Sequence, residues 1–119
     1  MIVITDINIV IIANQTLNTN KLSRIIEQSG INISAVETDV QKLSLFIEQF
    51  KPNLILLDVT YINNDKNIID EIVIEHNLPL IMLSSRSIHD TAKTVYAITN
   101  GASDFILWPI SAQTSFAAV

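Results

Sequence analysis

The sequence predicts an α/β domain, with five parallel strands in one sheet and helices on both faces. Three observations carry this. Five short β-branched apolar runs alternate with segments of helical period along the 119 residues, the order expected of βα units around a parallel sheet. The first, third and fourth runs are apolar almost throughout, which requires burial on both faces and places them in the middle of the sheet. The length suits one compact core and is too short for two.

The elements follow in order. "NIVIIA" (8–13) is the first strand. Leu22, Ile25 and Ile26 then line one face of a helix that Gly30 closes from the C′ position. "NISAVE" (32–37) is a more broken run and fits an edge strand. Asp39 can cap a second helix with Val40, Leu43, Ile47 and Phe50 as its buried stripe, stopped by Pro52. "NLILL" (53–57) is the third strand, followed by a helix over 65–76 through Ile68, Ile69 and Ile72. "LIMLS" (80–84) is the fourth strand. Ser87 opens a fourth helix with Ile88, Ala92, Val95 and Tyr96 inward, and Gly101 ends it. "DFIL" (104–107) is the fifth strand, and "SAQTSFAAV" (111–119) reads as the start of a fifth helix cut short. Residues 1–119 are therefore expected to be the N-terminal domain of a longer protein.

Composition removes several function classes. Lys and Arg number 7 against 12 Asp and Glu, for a net charge of −5. Without a basic tract there is no footprint for phosphate backbones or anionic lipid, so neither nucleic acid nor membrane is an expected partner. Cysteine is absent, which excludes disulfides and thiolate metal sites. The opening "MIVITDINIVIIA" lacks a positive n-region and is broken by Asp6 and Asn8. No run approaches the roughly 18 to 20 apolar residues of a membrane span, and a cytoplasmic location is expected. Two glycines are too few for a nucleotide cradle, and His76 and His89 stand without a second ligand at metal spacing.

In an open parallel sheet, chemistry collects beyond the carboxyl ends of the strands. The residues arriving there are Ala13 and Asn14, Asp58, Ser84 and Ser85, and Trp108-Pro109. Leu54 to Leu57 run straight into the carboxylate of Asp58. That aspartate is either a reactive group or the first residue of an ordinary turn.

The strings "KPNLILLD" (51–58), "PLIMLSSRS" (79–87) and "GASDFILWP" (101–109) resemble the receiver domain of two-component response regulators. The last two are similar to the receivers of chemotaxis protein-glutamate methylesterases. The resemblance covers nearly the whole chain and implies a flavodoxin-like (βα)5 fold. It implies that Asp58 is the phosphoacceptor, Ser84 a contact of the phosphoryl group and Phe105 the aromatic switch. Asn14, Asp58 and the carbonyl of Thr60 would be the metal contacts. It further implies a sensor histidine kinase or another phosphodonor as partner, and an attached or separate effector.

Two parts of the family pattern are missing. Its acidic pair after the first strand matches Ala13 and Asn14, and its lysine before the proline matches Trp108. Mg²⁺ beside a phosphate is normally held through one or two carboxylates plus water. At an effective dielectric near 20, a unit charge about 4 Å away is worth roughly 4 kcal/mol, and each ~1.4 kcal/mol is tenfold in affinity. Mg²⁺ is therefore expected to bind weakly or not at all. Asp6 does not replace the lost carboxylate, because Asp58 follows it by 52 positions, whereas the interval of 45 from Ala13 fits the family. Arg86 could reach a phosphoryl oxygen in the lysine's stead, or be a solvated loop charge. Asp65 reads as the cap of the third helix, and the family uses a cis peptide where Trp108-Pro109 stands. Three readings follow: a weakly phosphorylatable switch, a phosphorylation-independent pseudo-receiver serving as an interaction module, and a small-molecule sensor with a cavity lined by Ala13, Asn14, Ser84 and Trp108.

Overall fold

The computed structural model describes residues 7–14, 19–62, 67–85 and 87–108. Asp6, Asp65, Arg86, Pro109 with its peptide bond, and the expected fifth helix over 111–119 lie outside them.

Five parallel strands form one sheet: β1 (Asn8–Ile12), β2 (Asn32–Glu37), β3 (Leu54–Asp58), β4 (Leu80–Ser84) and β5 (Asp104–Leu107). Their order is β2-β1-β3-β4-β5, so the three continuous apolar runs are the central strands and β2 is an edge, as the sequence predicts. The helices are α1 (Thr19–Gln28), α2 (Leu43–Phe50), α3 (Asn67–Asp70) and α4 (Ile88–Thr99).

Alternate residues of the central strands feed two apolar layers, as a pleat requires. Val10, Ile12, Ile55, Leu57, Leu80 and Met82 face one layer, covered by Leu43 and Ile47 of α2, Ile69 of α3 and Ala97 of α4. Ile9, Ile11, Leu56 and Leu83 face the other, with Leu22 and Ile26 of α1. Helices thus cover both faces.

The caps follow the sequence closely. Asp39 accepts from the amide of Gln41 and opens a 3₁₀ turn, Val40–Lys42, ahead of α2. Ser87 accepts from the amide of Asp90 at the start of α4. Gly30 takes φ +87° just past α1, a conformation glycine adopts at no Cβ cost. The expected stop at Pro52 falls one residue earlier, where Lys51 turns left-handed and donates to Ile47.

Three helices differ from expectation. On α1, Leu22 and Ile26 pack inward, whereas Ile25, one position before Ile26, is 46% exposed. The third helix begins as α3 but continues as a π-helical turn, Glu71–Glu75. On α4 the inward residues are Thr94 and Ala97, whereas Ile88 is 86% and Val95 60% exposed, and Ala92 is exposed too. Tyr96 alone of the expected stripe packs on the core. The physical reason is that Thr94 spends its hydroxyl on internal partners (below), which lets a small polar face take the inward position.

At the amino ends of the strands, three asparagines bind one another. Asn32 Nδ2 donates to Asn8 Oδ1 at 2.9 Å, and the Asn8 amide donates to Asn53 Oδ1 at 2.7 Å.

Candidate functional site

Asp58 is the last residue of β3 and is 2% exposed. Its Oδ1 accepts from the amide of Thr60 and its Oδ2 from the amide of Asn14, each at 2.9 Å. The first bond caps the 3₁₀ turn Val59–Tyr61. The second reaches across from the end of β1, which is in parallel register with β3 through Ile12 and Leu57. The aspartate is therefore a turn cap and, in the same act, a carboxylate fixed at the carboxyl edge of a central strand. Asn14, Asp58 and Thr60 are brought together.

Ser84 ends the neighbouring strand. Asp58 pairs with Leu83 in the register, so Ser84 stands one step beyond it. Ser84 is 3% exposed. Its Oγ lies 3.1 Å from the carbonyl of Ser85 and 2.7 Å from Thr94 Oγ1, so in this structure its hydrogen bonds run to β4 and α4. Phe105 lies on β5 opposite Met82 and is 43% exposed, away from Asp58 by the width of β4.

Thr94 was not legible as a site residue. It is buried, and its hydroxyl also lies 2.8 Å from the carbonyl of Asp90. Asp90 in turn accepts at Oδ2 from the amide of Ser85, at 3.2 Å. The signal that could have found Thr94 is its spacing of three from Ala97, which puts both on one helical face; larger apolar neighbours drew the stripe elsewhere.

Ala13 and Trp108, expected from the resemblance to stand where one of the two acids and the lysine would be, are apolar and buried. Both join Ile9, Ile11, Leu22, Leu56 and Leu83 in the α1-side layer. The indole fills this region, and its Nε1 has no hydrogen-bond partner among the described residues. A groove of about 820 Å³ lies elsewhere, bordered by Val40, Tyr61, Ile68, Asp70 and Glu71.

Tyr61 ties this end of the sheet to β2 by donating its hydroxyl to the carbonyl of Thr38. Burial pushes its phenol above the ordinary value, and the charges of Asp58, Asp39 and Glu37 add to the effect. The amides of Asp39 and Thr38 donate to Glu37 Oε1 and hold that carboxyl below its usual range, with a smaller contribution from Lys42.

These residues do not suit Mg²⁺. Both oxygens of the Asp58 carboxylate already accept backbone hydrogens, the neighbouring position is the buried methyl of Ala13, and no three acidic or histidine side chains gather among the described residues. A hard cation of octahedral demand wants more oxygen donors than this. The amides of Asn14 and Thr60 serve the carboxylate itself, and the Ser84 hydroxyl is engaged by Ser85 and Thr94.

No family model matches the chain. A protein-glutamate methylesterase/protein-glutamine glutaminase of Oceanobacillus iheyensis is 40% identical over 62 residues, 51% of this chain and 18% of that protein. NtrX of Brucella abortus superposes with a TM-score of 0.70 at 27% identity, over 93% of this chain and 25% of that one. Its receiver domain alone gives 0.67 at 25% identity, with 93% of both chains covered. The response regulator domain of Thermotoga maritima CheB gives 0.70 at 24%, over 94% of this chain and 87% of the other. The chain thus spans less than a fifth of the curated relative it matches. A parallel sheet in the order β2-β1-β3-β4-β5, an aspartate closing its central strand and these likenesses converge: the chain has the fold of a response-regulator receiver domain.

Proposed function

We propose that this domain regulates an effector, attached or separate, through the state of Asp58, with phosphoryl chemistry that is retained but weakened. The carrying observation is the placement of the Asp58 carboxylate between the amides of Asn14 and Thr60, with the hydroxyl of Ser84 at the end of the adjoining strand. In the transfer, a carboxylate oxygen of Asp58 attacks phosphorus, the bond from phosphorus to the donor's leaving atom breaks (the imidazole nitrogen of a phosphohistidine or the carboxylate oxygen of an acyl phosphate), and an acyl phosphate forms on Asp58. The donor would be a sensor histidine kinase or a small acyl phosphate. With Ala13 and Trp108 at the positions matched to an acid and the lysine, the transferred charge is less stabilised than beside a bound cation, so the reaction is slow and little dependent on Mg²⁺. The effector would be a protein-glutamate methylesterase, by likeness to the Oceanobacillus protein, and the setting cytoplasmic chemotaxis signalling.

A second reading is favoured by one observation. Ala13 and Trp108 convert the family's charged positions into part of a buried apolar layer, which suits a pseudo-receiver that binds its partner without phosphorylation. Acetyl phosphate, with and without Mg²⁺, separates the two. The first reading expects slow gain of one phosphoryl mass, lost in Asp58→Asn, together with a change in Trp108 fluorescence. An unchanged mass after prolonged incubation selects the pseudo-receiver.

A further inference from the structure

We propose that Thr94 is a positioning residue, whose hydroxyl holds Ser84 Oγ so that the state of Asp58 is passed to the first turns of α4. This rests on the receiver reading of Asp58 and names a route by which that site is read.

The geometry is that of a two-hydroxyl relay. Thr94 Oγ1 lies 2.7 Å from Ser84 Oγ and 2.8 Å from the Asp90 carbonyl, and Ser84 Oγ lies 3.1 Å from the Ser85 carbonyl. Each hydroxyl has one hydrogen. If Thr94 gives its hydrogen to Asp90, Ser84 must donate to Thr94. If Ser84 donates to Ser85 or to any acceptor at Asp58, Thr94 must turn its hydrogen to Ser84 and release the Asp90 carbonyl. The two hydrogens therefore move together, and both residues are at least nine-tenths buried, at 3% and 5% exposure.

Asp90 receives the outcome twice. Its carbonyl gains or loses the Thr94 hydrogen, and its carboxylate accepts the Ser85 amide at 3.2 Å. Its own amide donates to Ser87, the cap of α4, at 3.0 Å. A change in what Ser84 donates to thus arrives at the helix cap through a chain of direct hydrogen bonds, polarised in series. The exposed Ile88 and Val95 of this helix are carried with it.

The test uses amide resonances of the whole chain, with Asp58→Asn as the perturbation and no phosphodonor. In the wild-type background and in Thr94→Ser, which keeps the hydroxyl, Asp58→Asn should displace the resonances of Ser85, Asp90 and Thr91. In Thr94→Val, which keeps the shape, those displacements should be lost, while those of Asn14 and Thr60, which bond residue 58 directly, persist. Ser84→Ala removes the other half of the pair and should give the same loss, which covers failure of the valine variant to fold. Equal displacements at Ser85 and Asp90 without either hydroxyl, or none in the wild-type background, overturn the proposal. Failure of Asp58 to take up phosphate sinks the phosphoryl reading and is measured separately.

Discussion

The backbone amide of Trp108 donates to the carbonyl of Ser84 at 2.7 Å, so the residue standing at the family's lysine position is bonded to the strand that carries the site hydroxyl. Its main chain completes the sheet, while its side chain serves the α1-side layer. The two contributions can be separated by substitution.

Trp108→Phe should leave stability within about 1 kcal/mol of wild type, because the orphan indole N–H is removed while most of the buried ring stays. Trp108→Lys should cost about 3–5 kcal/mol, since the aromatic volume is lost and a cation enters an apolar layer. Urea unfolding midpoints measure both. A lysine variant as stable as wild type would show that the layer is open to water.

Ala13→Asp tests the metal argument. A second carboxylate beside Asp58 should raise Mg²⁺ affinity at least about tenfold, a change of roughly 1.4 kcal/mol. It should also lower stability in metal-free buffer, because Ala13 is only 1% exposed. Titration followed by Trp108 fluorescence, paired with unfolding in Mg²⁺ and in chelator, reads both effects.

The pH behaviour of two groups has a fixed sign. Glu37 has a lowered folded value, so it adds stability above its unfolded value and that contribution disappears as pH falls through the folded one. Glu37→Gln should therefore flatten the acid limb of the stability curve. Tyr61 has a raised value, so its contribution is present below the unfolded value and is lost as alkaline pH passes the folded one. Phenolate absorbance, with Tyr61→Phe as the blank, should show this titration moving part of the way back in Asp58→Asn. The return is partial because burial, the leading cause, is untouched.

On α4, Ile88→Lys and Val95→Lys should each change stability by no more than about 0.5 kcal/mol, since both side chains are exposed. Ala97→Leu, at a fully buried position, should cost about 1–3 kcal/mol through overpacking. Thermal or urea unfolding gives the ranking, and a reversed order would mean the helix is rotated.

Strand identity, the division into central and edge strands, and the caps at Asp39 and Ser87 were legible because each rests on a local rule: continuous β-branched runs for central strands, short polar side chains for helix starts. Asp58 was legible for the same reason, as a charge closing such a run. The face of α4 was not. Apolar type alone assigns Ile88 and Val95 inward, and only the tertiary partners of a hydroxyl reveal that Thr94 lies there instead. The extension of the third helix into a π turn leaves no mark in "EIVIE", which is equally good α-helix. The Asn14 amide bond to Asp58 was likewise invisible, since a backbone donor has no residue type.

The interlocked asparagines Asn8, Asn32 and Asn53 clamp the amino ends of β1, β2 and β3 to one another. At the opposite rim the same three strands are joined by Asn14 to Asp58 and by Tyr61 to Thr38. The carboxylate therefore sits in a frame braced at both ends, and a signal has to be read through side chains and loops rather than through bending of the strands.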